Sequence, residues 1–171
     1  IISRNTIEEI INAAFIMSQP KTGALIVIER KENLTNIENT GILINGLVSS
    51  QLLINIFEHN TPLHDGAVLV RGNKIVSATC YLPLSENMRI SKDLGTRHRA
   101  AIGISEVSDS MTVVVSEETG RVSVASGGDL KKMASRDELR QELEVLLEER
   151  QEEKKASIFS KLLKGRGNDE K

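Results

Sequence analysis

Two hairpin signals set among helical segments constrain this chain most. Gly66-Ala-Val-Leu-Val-Arg71 and Lys74-Ile-Val-Ser-Ala-Thr-Cys-Tyr-Leu82 are apolar, β-branched runs joined by Gly72-Asn73. Two turn residues of that kind join antiparallel strands. Met111-Thr-Val-Val-Val-Ser116 and Arg121-Val-Ser-Val-Ala125 repeat the pattern around Glu117-Glu118-Thr119-Gly120. Gly23-Ala-Leu-Ile-Val-Ile-Glu29 is continuously apolar, which suits a strand covered on both faces. Ile42 to Ile44 reads as a short strand, and the Asn-rich stretch from Arg30 to Thr40 as a loop. Helical spacing appears in residues 3–18, through Ile7, Ile10, Ile11, Ala14 and Phe15, with Ser3 or Asn5-Thr6 as caps. It returns from Leu47 to His59 and from Thr96 to Val107. Strands alternating with helices, with antiparallel hairpins mixed in, predict an α/β fold of the mixed α+β kind: a central mixed β-sheet flanked by helices.

At 171 residues the chain suffices for one ordinary core, expected over residues 1–130. Charge then becomes dense. Met133, Leu139, Leu143, Leu146 and Leu147 keep a helical stripe, so a charged C-terminal helix is expected over 131–150 and a disordered tail over 151–171. Within that tail, Ile158, Phe159, Leu162 and Leu163 lie among lysines as a small amphipathic patch. No apolar run approaches the ~18 residues that span a bilayer, and the composition is that of a soluble globular chain. Cys80 is the single cysteine, which excludes an intrachain disulfide and reads as a small buried apolar residue.

A net charge of -2 supplies no global attraction for nucleic acid, so phosphate binding has to be local. Only Phe15, Phe57, Tyr81 and Phe159 are aromatic, too few for the stacking platforms that hold single strands. No nucleic-acid partner is expected.

Two polar clusters stand out. Asn60-Thr-Pro-Leu-His-Asp-Gly-Ala67 puts the Asp65 carboxylate and the His64 imidazole just before a strand, beside a glycine that admits a ligand to the backbone. A carboxylate there suits a divalent cation or the deprotonation of a sugar hydroxyl. An ordinary turn aspartate is the bland alternative. Leu94-Gly-Thr-Arg-His-Arg99 puts Arg97, His98 and Arg99 in the first turn of a helix, with Thr96 as a candidate cap. A helix start offers unpaired N–H groups to phosphate. On a regular helix Arg97 and Arg99 point roughly 200° apart, so they serve different groups unless the turn is irregular. A solvated basic helix start is the alternative. Ser116 and Glu118 close a hairpin and are weaker candidates for phosphate or metal contact. Tyr81 is the aromatic nearest these loops, open to a base or to core packing. P-loop and dinucleotide glycine fingerprints and zinc spacings are absent from the sequence.

Together, Asp65-Gly66-Ala67 and Arg97-His98-Arg99 resemble the paired signature of the diadenylate cyclase (DAC) domain. Their surroundings, Asn60 to Ala67 and Leu94 to Asp109, are similar to its CdaA-type branch, and the resemblance covers roughly residues 5–127. It implies the DAC-domain fold and condensation of two ATP into cyclic di-AMP with release of two pyrophosphates. It also implies Mg2+, Mn2+ or Co2+, and a product with two equivalent 3′-5′ bonds in turn calls for a homodimer whose protomers meet face to face. Carried over by position, Asp65 is a metal ligand and activates the 3′-hydroxyl; His64 beside it is a metal-ligand candidate by residue type. Arg97, His98 and Arg99 hold phosphates, assisted by Thr96 and Ser116. Glu118 aids the metal, Tyr81 contacts adenine, and Gly66 and Ala67 line the approach to ribose. In the branch, transmembrane helices precede this domain, which implies a membrane-anchored whole with this part in the cytoplasm. Its partners there are a regulator with repeated extracytoplasmic domains and phosphoglucosamine mutase. Two rival functions are a non-catalytic ATP-binding regulatory module and a metal-dependent phosphoesterase built on His64, Asp65 and His98.

Overall fold

The structure, a computed structural model, describes residues 1–169. Its elements are α1 (Arg4–Ser18), β1 (Ala24–Ile28), α2 (Thr35–Glu38), β2 (Ile42–Leu47), α3 (Ser50–Phe57), β3 (Ala67–Arg71), β4 (Lys74–Cys80), α4 (Thr96–Val107), β5 (Met111–Val115), β6 (Val122–Ser126), β7 (Asp129–Met133) and α5 (Arg136–Asp169). The strands form one mixed sheet in the order β2-β4-β3-β1-β5-β6-β7. β1 and β3 run parallel, and each of the other neighbouring pairs is antiparallel. The mixed α/β architecture read from the sequence is the one observed.

Strand alternation explains why β1 has no polar residue. Ala24, Ile26 and Ile28 pack in a cluster with Ile7, Ile10 and Ile11 of α1, Leu53 of α3 and Leu139 and Leu143 of α5. Leu25 and Val27 face the other way, onto Ala100, Ala101 and Ile104 of α4. All five β1 residues are buried. A strand sandwiched between helical layers has no solvent face to carry polar groups. Each fully buried Leu or Ile contributes about 1.5–3 kcal/mol.

Local signals account for most element ends. Ser3 caps α1, its hydroxyl accepting from the Thr6 N–H at 3.2 Å. Ser49 caps α3 in the same way through the Leu52 N–H. The cap of α4 differs from expectation: Gly95 occupies the N-cap, no side chain caps the helix, and Thr96 is its first residue. The loop expected from Arg30 to Thr40 contains the short helix α2.

The C-terminal third departs further. Residues 129–133, part of which was expected to begin the terminal helix, form β7 against β6. The cause is Gly127-Gly128, both at positive φ (59° and 86°), a two-residue turn that returns the chain as a hairpin. Residues 151–169, expected to be disordered, continue α5 without a break. Glu, Gln, Lys, Ala and Leu are good helix formers, and no proline interrupts them. Residues 151–167 are all exposed, so this helical extension rests on nothing else in the protein. The final two residues of that expected tail lie outside the described residues. Among the described residues, no helix is long and apolar enough to cross a membrane.

Candidate active site

The sheet positions the site by bringing several strand ends to one edge. Ala24 at the start of β1 pairs with Val115 at the end of β5, and Ala67 at the start of β3 pairs with Cys80 at the end of β4. The N-terminus of α4 lies over this edge. A cleft of about 700 Å3 opens there, lined by His64, Asp65, Gly66, Tyr81, Thr96, Arg97, His98, Ser116 and Glu118. Residues from two sequence clusters and a hairpin turn therefore share one cavity.

Ala67 and Arg99 do not line it. Ala67 is buried in the core beneath α4. Arg99 follows from helix geometry: α4 is regular from its first residue, so Arg97 and Arg99 diverge. The Arg99 backbone instead anchors the preceding loop, its carbonyl accepting from the Ser85 N–H at 3.0 Å.

Gly66 is required twice over. Its φ is +75°, and a Cβ there would sit 2.7 Å from the Cys80 carbonyl oxygen. Opposite it, Thr79 also takes a positive φ of 53°, a strained conformation for a β-branched residue. The β3–β4 register shifts at this point. Asp65 thus projects from an irregular strand entrance, with its side chain 85% exposed at the cleft mouth.

His64 Nδ1 lies 2.6 Å from the Thr61 carbonyl oxygen. A carbonyl can only accept, so Nδ1 carries the proton. Nε2 faces Asp65 Oδ1 at 3.3 Å. With Nδ1 carrying the proton this sets a lone pair against a carboxylate, an arrangement relieved by a cation shared between the two atoms. One imidazole nitrogen and one carboxylate suit a divalent cation. Among the described residues, no group of three or more His, Cys, Asp or Glu gathers as a metal cage. Mg2+ ordinarily takes just one or two protein carboxylates and completes its shell with water and substrate phosphates, so this donor set fits.

Arg97 lies against the backbone. Its guanidinium rests over Gly23, where an added Cβ would come within 2.5 Å of Cζ and Nη1. Nη1 pairs with Glu117 Oε2 at 3.0 Å. His98 is buried. Burial holds its pKa below the usual histidine value, Glu118 pulls the other way, and Arg97 adds to the depression. It therefore presents a neutral ring at neutral pH.

Ser116 is buried, and its Oγ accepts from the N–H groups of Glu118 and Thr119, each at 3.2 Å. With both lone pairs engaged, its O–H is left to donate into the cleft. The turn is held from outside, because Ser18 Oγ donates to the Gly120 carbonyl. Tyr81 is 75% exposed at the rim, where its ring has a free face. Sequence reasoning missed Gly23 and Glu117 as parts of this site. In the sequence Gly23 is only the first residue of an apolar strand run, and Glu117 one of several turn residues; the proximity of both to Arg97 is purely tertiary.

Residues 11–130 match the DAC family, described as DisA bacterial checkpoint controller nucleotide-binding. The chain is 56% identical over 142 residues to the cyclic di-AMP synthase CdaA of Bacillus subtilis, covering 83% of this chain and 52% of that protein. It is 53% identical over 157 residues to the diadenylate cyclase of Listeria monocytogenes, covering 91% and 56%. The chain thus spans about half the length of these relatives. A double-cysteine mutant of DacA from Staphylococcus aureus superposes with a TM-score of 0.81 at 46% identity, covering 83% of this chain and 95% of that one. A hypothetical membrane spanning protein from Bacillus cereus follows at 0.73 and 49%, covering 75% and 63%. By sequence and by fold, this chain belongs to the DAC family of nucleotide-binding domains, in its CdaA-type branch.

Proposed function

We propose that this chain is the catalytic domain of a diadenylate cyclase that condenses two ATP into cyclic di-AMP and two pyrophosphates, between two protomers meeting face to face. The observation that carries the reading is the shared cleft. An exposed carboxylate, a seated arginine, a neutral histidine and a helix N-terminus without a side-chain cap converge in a chain 56% identical to a cyclic di-AMP synthase.

Each protomer binds one ATP. The first-turn N–H groups of α4, the Ser116 hydroxyl and Arg97 receive the phosphates. His98, neutral, adds a hydrogen bond without a competing charge. Tyr81 offers its exposed face to the adenine. The 3′-hydroxyl oxygen of one ATP bonds to the α-phosphorus of the other, and the bond from that phosphorus to the pyrophosphate oxygen breaks. The hydroxyl proton passes to Asp65 and then to solvent. Arg97 leaves Glu117 to offset the charge that grows on the departing pyrophosphate. Asp65 and His64 would hold Mg2+, Mn2+ or Co2+, which when bound neutralises phosphate charge and raises the acidity of the attacking hydroxyl.

The product has two equivalent 3′-5′ bonds, so a two-fold pair of subunits makes both with one set of residues. The exposure of Asp65 at the cleft mouth favours this, since a rim carboxylate can reach a nucleotide held by a facing copy. The Bacillus cereus relative's description as membrane spanning supports a membrane-anchored whole protein.

The test is incubation with ATP and Mn2+, product identification by mass, and initial rates against enzyme concentration. Cyclic di-AMP, two pyrophosphates per ring and a rate rising as the square of dilute enzyme support the reading. ATP binding without pyrophosphate release refutes catalysis. A rate strictly proportional to enzyme far below the dimer dissociation constant refutes the shared site.

A further inference from the structure

The unsupported half of α5 carries an asymmetry that neither the core nor the cleft uses. Residues 136–153 contain eight acidic and three basic side chains, whereas residues 154–167 contain five basic and none acidic. The first half is anchored, with Leu139, Leu143, Leu146 and Leu147 buried against the core. The second half touches nothing, yet it exposes Ile158 (60%), Phe159 (64%), Leu162 (63%) and Leu163 (54%).

At about 100° per residue these four side chains cover an arc of roughly 140°. That arc is turned well away from the stripe that packs on the core, so it is not a frayed continuation of the core contact. Lys154, Lys161 and Lys164 lie on the opposite face with Ser157 and Ser160, while Lys155 and Arg166 share the apolar face and flank the four side chains along the axis, one turn or less before Ile158 and after Leu163. A helix of this length with no packed face is marginal in water, because helices in proteins draw most of their stability from burying an apolar stripe. Aliphatic and Phe side chains on one face, only cations among the charges, and long basic stems that can snorkel from the two axial ends of that face form the pattern of a helix lying in a lipid interface.

We propose that residues 154–167 of α5 lie on an anionic lipid surface, with Ile158, Phe159, Leu162 and Leu163 inserted among the acyl chains and the five basic residues set against the headgroups. Charge complementarity selects this occupant. A groove on another protein would have to supply both an apolar trough and unrelieved acid, whereas an anionic bilayer has both along its whole surface. The first half of α5 packs on the α1 side of the sheet, and the cleft opens on the α4 side, so the attachment leaves the cleft accessible.

The experiment is co-sedimentation of the intact chain with phosphatidylcholine vesicles, with and without about 30% phosphatidylserine. The comparison variants are Lys161→Gln with Lys164→Gln, and Phe159→Ser with Leu162→Ser. All four positions are exposed, so the core is unaffected. Binding is expected to the anionic vesicles alone. Removing two lysines should weaken it about 25-fold, at roughly fivefold for each charge near the surface. The Phe159/Leu162 variant should abolish it, and neither variant should change nucleotide turnover. The proposal is overturned by no binding, or by equal binding to neutral vesicles. It is also overturned if the Phe159/Leu162 variant acts only on concentration-dependent self-association, which would assign the stripe to a second copy. None of these outcomes depends on the chemistry of the cleft.

Discussion

Replacing Gly23 with alanine should cripple catalysis while leaving the protein folded. The added Cβ would lie 2.5 Å from Cζ and Nη1 of Arg97 and 3.0 Å from its Nε. Ordinary non-bonded contacts sit at about 3.5–4.0 Å, so the guanidinium must shift by roughly 1 Å or more. A displacement of that size in a positioning group costs about 100-fold in rate, or roughly 2.7 kcal/mol of transition-state stabilisation. The fold should be spared, because the clash falls on the free end of a flexible side chain and the backbone of Gly23 is open to an L-residue. Alanine at such a position stabilises by about 0.4–1 kcal/mol through the unfolded chain. The assay pairs initial rates of pyrophosphate release with the thermal midpoint. A double-mutant cycle completes it: once Arg97→Gln has removed the guanidinium, Gly23→Ala should cost nothing further. A Gly23→Ala protein with the parental rate and midpoint refutes the reasoning, as does full additivity with Arg97→Gln.

The other predictions concern the base, the loop and the buried imidazole. Asp65→Asn should lower turnover by about 100-fold or more, while stability changes by less than about 0.5 kcal/mol because the side chain is exposed; turnover near the parental value removes Asp65 from its role. Gly103→Ala should destabilise by about 1–3 kcal/mol, since its Cβ would fall 1.8 Å from the Pro83 carbonyl oxygen, a backbone atom that cannot swing aside; a urea midpoint equal to the parent's contradicts that packing. His98 should make the protein acid-sensitive. Its folded pKa lies below the unfolded value of about 6.5. As pH falls through that value, the unfolded chain takes up a proton that the folded chain resists, and stability declines until the folded pKa is reached. His98→Gln should flatten this slope in urea melts at about pH 7.5 and pH 5.5; parallel slopes count against it.

How much of this was legible depended on whether the signal was local. The helix expected over Thr96 to Val107 is α4, with Gly95 rather than Thr96 at its cap. β1 and the β5–β6 hairpin were legible from apolar runs and turn residues. β7 was missed because Lys131 and Lys132 look like surface helix, while the Gly127-Gly128 turn that dictates a strand carries no hydrophobic pattern. The length of α5 was missed because charge density was read as disorder, although the same residues favour helix. In the cleft, Asp65 and Arg97 announced themselves through chemistry. Gly23 did not, since its contribution is the volume that a missing side chain leaves for a residue over seventy positions away. Arg99 shows the converse: its spacing from Arg97 already implied divergence, and the regular helix realises it.

The place of β1 at the middle of the sheet has a kinetic consequence. Ile26 pairs with Val68 on one side and Val113 on the other, so the earliest strand in the chain waits for partners from its middle and later parts. Closing such distant pairings is slow, and little of the sheet is rewarded before they form. The cleft is built from the ends of these same strands, so no partly folded fragment holds half of it. Amide exchange in β1, β3 and β5 should therefore be lost as one cooperative unit, and nucleotide binding should protect all three together.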